Sequence, residues 1–429
     1  MIIKGGNLSI KGEVKVPGDK SISHRAIMIG SIAEGKTVIH NFLMGEDCLS
    51  TVECFRKLGV NIHISDGEVV VEGVGLHGLK ESKDILYVGN SGTTIRLISG
   101  ILAGQNFSVA ITGDESIQKR PMDRIINPLR MMGANISGLS DKFPPLRIEP
   151  TESLNGIEYK QPIPSAQVKS CILLAGLYAN NDTKILQPSI SRDHTERMLK
   201  YFGANIITNN NEVYLKPGNK LMGKEVYVPG DISSAAFLIV GALILKGSKI
   251  LIRDVGLNET RSGILDVLIK MGGKIKILNV RNVNNEPIGD VLVEYSELKG
   301  IEIKGNMIPR LIDEIPIIAV AATQAKGTTI IKNAEELKVK ESNRIKAIVN
   351  ELKKMGANIE ELDDGMIING PSKLKPANLS TYNDHRIAMS LSIAALSADG
   401  DSNLQETESI NISFPDFFET LKSIIIQDK

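Results

Sequence analysis

A glycine-centred octapeptide returns five times along this chain, and it limits the possible folds more than any other feature. The copies are RKLGVNIH at 56–63, RMMGANIS at 130–137, KYFGANII at 200–207, IKMGGKIK at 269–276 and KKMGANIE at 353–360. Their glycines, Gly59, Gly133, Gly203, Gly272 and Gly356, fall at intervals of 69 to 84 residues. Each copy closes an amphipathic helical pattern with the residue best suited to a left-handed C-terminal cap, and an Ile-rich strand pattern follows. Spacing of this kind indicates a small α/β unit used repeatedly.

Two further elements keep the same rhythm. EGKTVIHN, NDTKILQP, KGSKILIR and KGTTIIKN each read as a helix stop followed by a short alternating strand. VPGDKS at 16–21 returns as VPGDISS at 228–234, about three periods later. The expected architecture is six α/β units grouped as two lobes of three. One lobe spans 20–228; the other combines 1–19 with 229–429, with hinges at 17–20 and 229–231. A sixth octapeptide would fall near 426, where FFETLKSIII offers a helix and no glycine. NVRNVNNEP at 279–287 is the expected surface loop.

Composition removes several functional classes. Lys plus Arg and Asp plus Glu each number 50. That balance argues against a general nucleic-acid binder, and 4% aromatics with no Trp argues against single-strand stacking platforms. Three cysteines without CxxC spacing suggest neither a disulfide framework nor a structural zinc site. The opening MIIKGGNLSIKGEVKVPG has no secretion-signal core, and apolar runs such as AAFLIVGALIL are too short to span a bilayer. A soluble, cytoplasmic protein is expected.

Two motif matches are set aside. GSIAEGKT at 30–37 fits GxxxxGK(S/T), but a helical pattern precedes it and a strand pattern follows, the reverse of a phosphate loop; Gly35 reads as a helix C-cap. GVGLHG at 73–78 fits GxGxxG, but no helical pattern follows and no acidic residue lies at ribose-binding distance, so it reads as a turn.

Segments that carry chemistry cluster at expected helix starts. PGDKSISHRA places Lys20, Ser21 and Arg25 on the first turns of a helix that Asp19 or Ser21 can cap. GNSGTTIRL is a small-residue loop around Gly92 that opens a helix. In QKRPMDR, Arg120 stands at a helix entrance with Pro121 in its first turn. PSAQVKS brings Ser165, Ala166 and Gln167 to another start, and SRDHTER makes His194 part of a polar network. LIDEIP sets Asp313 and Glu314 in an apolar run, where charge is costly unless paired or used. KVKESNR spaces Lys340 and Arg344 as helical neighbours beside Glu341, and YNDHRIAM places Arg386 at a helix start. Several cations at helix N-termini would make an anion-attracting site despite zero net charge.

PGDKSISHRA, GNSGTTIRL, RPM, PSAQVKS, PGDISSAAF, LIDEIP, VKESNR and YNDHRIAM, in this order, resemble the 5-enolpyruvylshikimate-3-phosphate synthases; SRDHTERML and LNETR are similar to the bacterial class II branch. The resemblance spans nearly the whole chain. It implies a two-lobed enolpyruvyl transferase fold, an inside-out α/β barrel of six βαβαββ units closing around its substrates, and no cofactor or metal. The implied reaction moves the enolpyruvyl group of phosphoenolpyruvate to the 5-hydroxyl of shikimate 3-phosphate, toward chorismate and the aromatic amino acids. It also implies a monomer with these small-molecule substrates and no nucleic-acid or membrane partner.

By motif, Lys20, Ser21, Arg25, Ser165, Ala166, Gln167, Asp313 and Lys340 would hold shikimate 3-phosphate. Lys20, Gly92, Arg120, Gln167, Arg344 and Arg386 would hold phosphoenolpyruvate. Asp313 would act as the base on the hydroxyl and Glu341 as the proton donor to the methylene, with Lys20 catalytic beside them. Where some relatives carry a Lys ahead of the FPDFF-like segment, this chain has Ile412-Ser413. Glyphosate, the phosphoenolpyruvate-site inhibitor of the family, is expected to need the room that Gly92 leaves. UDP-N-acetylglucosamine enolpyruvyl transferases are the near alternative, but they carry a cysteine loop where this chain reads GDESIQKRPMD. A non-enzymatic two-lobed anion-binding protein is the alternative from another class.

Overall fold

All five octapeptide glycines adopt positive φ, from 85° to 106°, and in each case a strand begins two residues later. This is the geometry expected of a left-handed helix cap feeding a strand. The structure, a computed structural model, describes residues 1–65 and 67–427. Four of its sheets have four strands in one shared plan: a short strand pairs in parallel with a second, which pairs antiparallel with a hairpin. In one of them Glu225–Tyr227 lies parallel to Glu34–His40, followed by Glu68–Val74 and Asn61–Ser65. The sheets built on Thr183–Leu186, Val109–Thr112 and Gly327–Ile331 repeat that order. The glycine-less sixth copy still supplies a strand: helix Phe417–Ile424 leads into Ile425–Gln427, which pairs antiparallel with Leu8–Ile10.

The chain divides into two units, each with its own apolar core. The terminal unit comprises Met1–Pro17, Pro229–Asn282 and Pro287–Lys429; the central unit comprises Gly18–Val228 with Val283–Glu286. Both use the same division of labour among helices. In the central unit Lys20–Ser31, Gly92–Leu102 and Ala166–Gly176 are buried along nearly their whole length, whereas Glu46–Lys57, Asp123–Met131 and His194–Phe202 bury one face. In the terminal unit Ile232–Ile244, Ile315–Thr323 and His385–Leu396 are the buried helices. A helix surrounded by protein must be apolar on every side, so its polar residues collect at its ends. Asp19, Ser91, Ser165, Asp231 and Asp384 each cap a buried helix by accepting a backbone N–H with the side chain.

Four local expectations need correction. Residues 279–283 are strand and not loop, because Asn284 and Asn285 both take positive φ and turn the chain within two residues. Gly35 is not a helix cap: the helix ends at Ile32, and Gly35 sits in the next strand opposite Gly73 with φ +87°. Pro121 lies outside the helix it was expected to open, which runs Asp123–Met131. Lys340 and Arg344 do not share a helix, because Lys340 is extended and the helix begins at Arg344 behind the Asn343 cap. No helix among the described residues is long and apolar enough to cross a membrane.

Candidate active site

In the central unit the candidate side chains gather around the first turns of its three buried helices. Asp19 accepts the Ile22 N–H at 2.9 Å and so fixes where the helix carrying Lys20, Ser21 and Arg25 begins. The Arg25 guanidinium is almost wholly buried, yet its acceptors are neutral. Nε donates to Thr195 Oγ1 at 2.7 Å, Nη1 to the Ser21 carbonyl at 2.9 Å and Nη2 to Ser170 Oγ at 3.0 Å. Burial lowers the Arg25 pKa to about 10 against the opposing pull of Glu196 and Asp19, so it stays a cation whose hydrogen bonds go to uncharged oxygens. Lys20 differs, for its ammonium lies 2.5 Å from Asp47 Oδ2.

The Gly92 loop is braced from several sides. Arg120 Nη2 donates to Asn90 Oδ1 at 2.8 Å, and Asn90 donates to Asp114 at 2.7 Å. Gln167 joins two helices, accepting from Arg96 Nη1 at 2.5 Å and donating to Thr93 Oγ1 at 3.0 Å. Ser165 caps the helix that Ala166 opens. A Cβ added at Gly92 would stand 3.0 Å from Arg120 Nη1 and 3.3 Å from Arg96 Nη1. The room beside this glycine is therefore bounded by two guanidinium groups.

A buried chain of hydroxyls ties these helices together. His24 Nδ1 meets Thr51 Oγ1 at 2.7 Å, Thr51 meets Thr94 Oγ1 at 2.7 Å, and Thr94 donates to Ser91 Oγ at 2.7 Å. Burial first, then the nearby Lys20 and Arg25 charges, hold the His24 imidazole well below its ordinary pKa, so it is neutral. His194 lies in the polar network expected of it: burial opposes its charge, and Glu286 at 2.7 Å outweighs burial and raises its pKa.

The terminal unit carries the acids. Asp313 sits on the short 3-10 turn Ile312–Glu314, just ahead of a buried helix. Its Oδ1 is 3.2 Å from Arg344 Nη1 and 4.0 Å from Lys340 Nζ. Arg344, only 1% exposed, also donates to Glu341 Oε2 at 2.6 Å and to Asp384 at 2.8 and 3.3 Å. Burial alone would weaken its charge, but Asp384, Glu341 and Asp313 together drive its pKa upward. Lys340 is steadied by Glu336 at 2.9 Å. Arg386 lies near Asp313 and Glu314, and among the described residues its guanidinium makes no hydrogen bond or ion pair shorter than 3.5 Å.

The profile of EPSP synthase (3-phosphoshikimate 1-carboxyvinyltransferase) matches residues 5–421. The chain belongs to the EPSP synthase family. It is an enzyme, and a transferase. A 3-phosphoshikimate 1-carboxyvinyltransferase of Thermoanaerobacter sp. (strain X514) is 57% identical, with 96% of this chain and 97% of that protein aligned. One of Brevibacillus brevis is 54% identical over 97% of both chains. The solved EPSP synthase of Acinetobacter baumannii superposes with a TM-score of 0.89 at 45% identity, covering 99% of this chain and 98% of its own. An enolpyruvyl transferase of Streptomyces tendae shares the fold, with a TM-score of 0.80 at 17% identity.

Every sequence-derived candidate therefore falls into one of two groups. Lys20, Ser21, Arg25, Gly92, Arg120, Ser165, Ala166 and Gln167 cluster in the central unit; Asp313, Lys340, Glu341, Arg344 and Arg386 cluster in the terminal unit. Sequence reasoning marked Asp384 within YNDHRIAM but missed Asp47, Arg96 and Arg261. Arg96 stands inside GNSGTTIRL and Arg261 closes LNETR, so both neighbourhoods were visible. Asp47 comes from helix Glu46–Lys57 and carries no local signal.

Proposed function

We propose that the chain transfers the enolpyruvyl group of phosphoenolpyruvate to the 5-hydroxyl of shikimate 3-phosphate, releasing inorganic phosphate. One observation supports the residue roles above others: a single guanidinium, that of Arg344, contacts both Asp313 and Glu341. The reaction needs a base at the hydroxyl and an acid at the methylene carbon. In this reading the phosphoenolpyruvate carboxylate replaces Asp313 and Glu341 on Arg344, while Asp384 keeps the guanidinium in place. Both carboxylates are then released for proton transfer only when the substrate has arrived.

Asp313 takes the proton of the 5-hydroxyl as its oxygen bonds to C2 of phosphoenolpyruvate, and Glu341, protonated from solvent once it has left Arg344, gives its proton to C3. The Glu341 carboxylate so formed takes a proton back from C3, which restores the double bond as the C2–O bond to phosphate breaks. Lys20 exchanges Asp47 for substrate phosphate. Arg25, Ser21, Ser165, Ala166, Gln167 and Lys340 hold shikimate 3-phosphate; Gly92, Arg120, Gln167 and Arg386 accompany Lys20 and Arg344 around phosphoenolpyruvate. Two polyanions need several cations to be brought together, and the charge-assisted bonds also orient them.

The cysteines weigh against the UDP-N-acetylglucosamine alternative. Cys48, Cys54 and Cys171 are all buried, and burial pushes the Cys54 thiol up to about 12 and the Cys171 thiol still higher. Neither of these two is a reactive thiolate. The deciding experiment measures phosphate release from phosphoenolpyruvate with shikimate 3-phosphate, with UDP-N-acetylglucosamine and with neither. Release only with shikimate 3-phosphate is the expected outcome, and release only with the nucleotide sugar would reverse the assignment.

A further inference from the structure

Glu314 follows the proposed base in the chain but faces the interior: its side chain is fully buried, whereas the Asp313 side chain is 12% exposed. A buried carboxylate must be paired. Its Oε1 accepts from Arg261 Nη1 at 2.7 Å and from the Ser233 hydroxyl. Arg261 Nη2 donates in turn to Ser233 Oγ and lies 3.5 Å from Asp231, the cap of helix Ile232–Ile244. Glu314 Oε2 is buried without a hydrogen-bond partner among the described residues, so the carboxylate retains acceptor capacity.

A second cation, Arg386, stands close to this carboxylate. Its Nη1 is 3.8 Å from Glu314 Oε1, its Nη2 is 3.9 Å from Asp313 Oδ2, and its closest guanidinium contact is the Asp313 carbonyl at 3.5 Å. Arg386 therefore stands beside two carboxylates without forming a tight pair with either. The contrast with Arg344, in the same unit and gripped by three carboxylates, is sharp.

We propose that Arg261 is a positioning residue for phosphoenolpyruvate binding: by pairing with Glu314 it keeps that carboxylate from capturing Arg386. Arg386 is then left loosely held, and its charge is open to an incoming carboxylate. Neither Arg261 nor Glu314 touches substrate. The inference rests on the phosphoenolpyruvate role proposed for Arg386.

The test is steady-state kinetics of the full-length enzyme, with KM for each substrate, kcat and the unfolding midpoint measured for every variant. Arg261→Gln leaves Glu314 uncompensated, so Arg386 is drawn to it, and KM for phosphoenolpyruvate rises roughly tenfold with KM for shikimate 3-phosphate within about twofold of the parent. Adding Glu314→Gln removes the competitor, and KM for phosphoenolpyruvate returns to within about twofold of the parent. Arg261→Lys cannot reproduce the fork to Glu314 and Ser233, and it gives a smaller rise of about threefold, readable even if Arg261→Gln fails to fold. Parallel changes in both KM values and kcat that follow the unfolding midpoint would overturn the proposal, as would a double variant that keeps the raised KM. Arg386→Gln separates the two layers. If it leaves KM for phosphoenolpyruvate unchanged, the role of Arg386 itself falls and the inference falls with it. If it raises KM while Arg261→Gln does not, only the inference fails.

Discussion

The two units hold their arginines in opposite ways. In the central unit Arg25 is buried against Thr195, Ser170 and a backbone carbonyl, all uncharged. In the terminal unit Arg344 is buried against Asp313, Glu341 and Asp384. The first arrangement presents positive charge and suits a group that must hold a phosphate. The second stores acids and bases beside a cation, and suits a group in which a ligand releases proton-transfer residues by taking their place. In the proposed reaction the same α/β unit thus serves as a receptor in one half and as a carrier of acid–base chemistry in the other.

The largest expected effect comes from removing chemistry from the acid-rich side. Asp313→Asn should lower kcat by roughly 10²–10⁴ with both KM values changed only a few-fold, as loss of a general base does. Near-normal turnover would break the contrast, because the terminal unit would then hold no base.

Stability should also differ between the two arginines. Arg344→Met removes the cation shared by three carboxylates, the fully buried Asp384 among them, and should cost about 3–5 kcal/mol, the usual penalty for breaking a buried ion pair. Arg25→Met leaves hydroxyls that already bond each other, Ser170 to Thr195 at 2.6 Å, and should cost about 1–3 kcal/mol. Denaturant unfolding of both variants checks the difference, and equal losses would dissolve it.

Gly92→Ala probes the receptor side more gently. The sequence suggested that the added methyl would enter inhibitor space. The structure places it 3.0 Å from Arg120 Nη1, the far end of a long side chain. Arg120 should therefore shift, raising KM for phosphoenolpyruvate by about twofold to fivefold while glyphosate inhibition weakens more. Inhibition constants measured for both forms decide this; a larger loss for phosphoenolpyruvate than for glyphosate would contradict it.

The smallest effect concerns two buried histidines of the central unit that repeat the contrast on a local scale. His24 is neutral among hydroxyls, with its folded pKa well below 6.5. Its contribution to stability is complete above about 6.5 and is lost as pH falls toward the folded value, with a slope of at most about 1.4 kcal/mol per pH unit. His194 is held by a carboxylate and its folded pKa lies above 6.5. Its contribution is complete below about 6.5 and is lost as pH rises through the folded value. His24→Asn should flatten the acid side of the stability profile and His194→Asn the neutral side; the reverse pattern would show the assignments to be exchanged.

The repeat was legible in the sequence because its cause is local. A left-handed cap admits glycine far more readily than other residues, so Gly59, Gly133, Gly203, Gly272 and Gly356 mark helix ends without tertiary help. The helix starts were legible for a similar reason: Asp19, Ser91, Ser165 and Asp384 cap residues within three positions of themselves. The motif residues at those starts, Lys20, Gly92, Gln167 and Arg386 among them, could therefore be singled out as candidates.

Pairing was not legible, because it depends on which distant segments meet. Nothing near Asp313 in the chain announces Arg344, 31 residues away, and nothing near Glu314 announces Arg261, 53 residues away. The spacing of Lys340 and Arg344 pointed to a shared helical face, but the chain is extended at Lys340 and the helix begins only at Arg344. Local backbone chemistry determined the repeat, the caps and the identity of the candidate side chains. Which carboxylate meets which guanidinium, and so which charges are held and which stand open, is a property of packing between distant segments, and only the tertiary structure decided it.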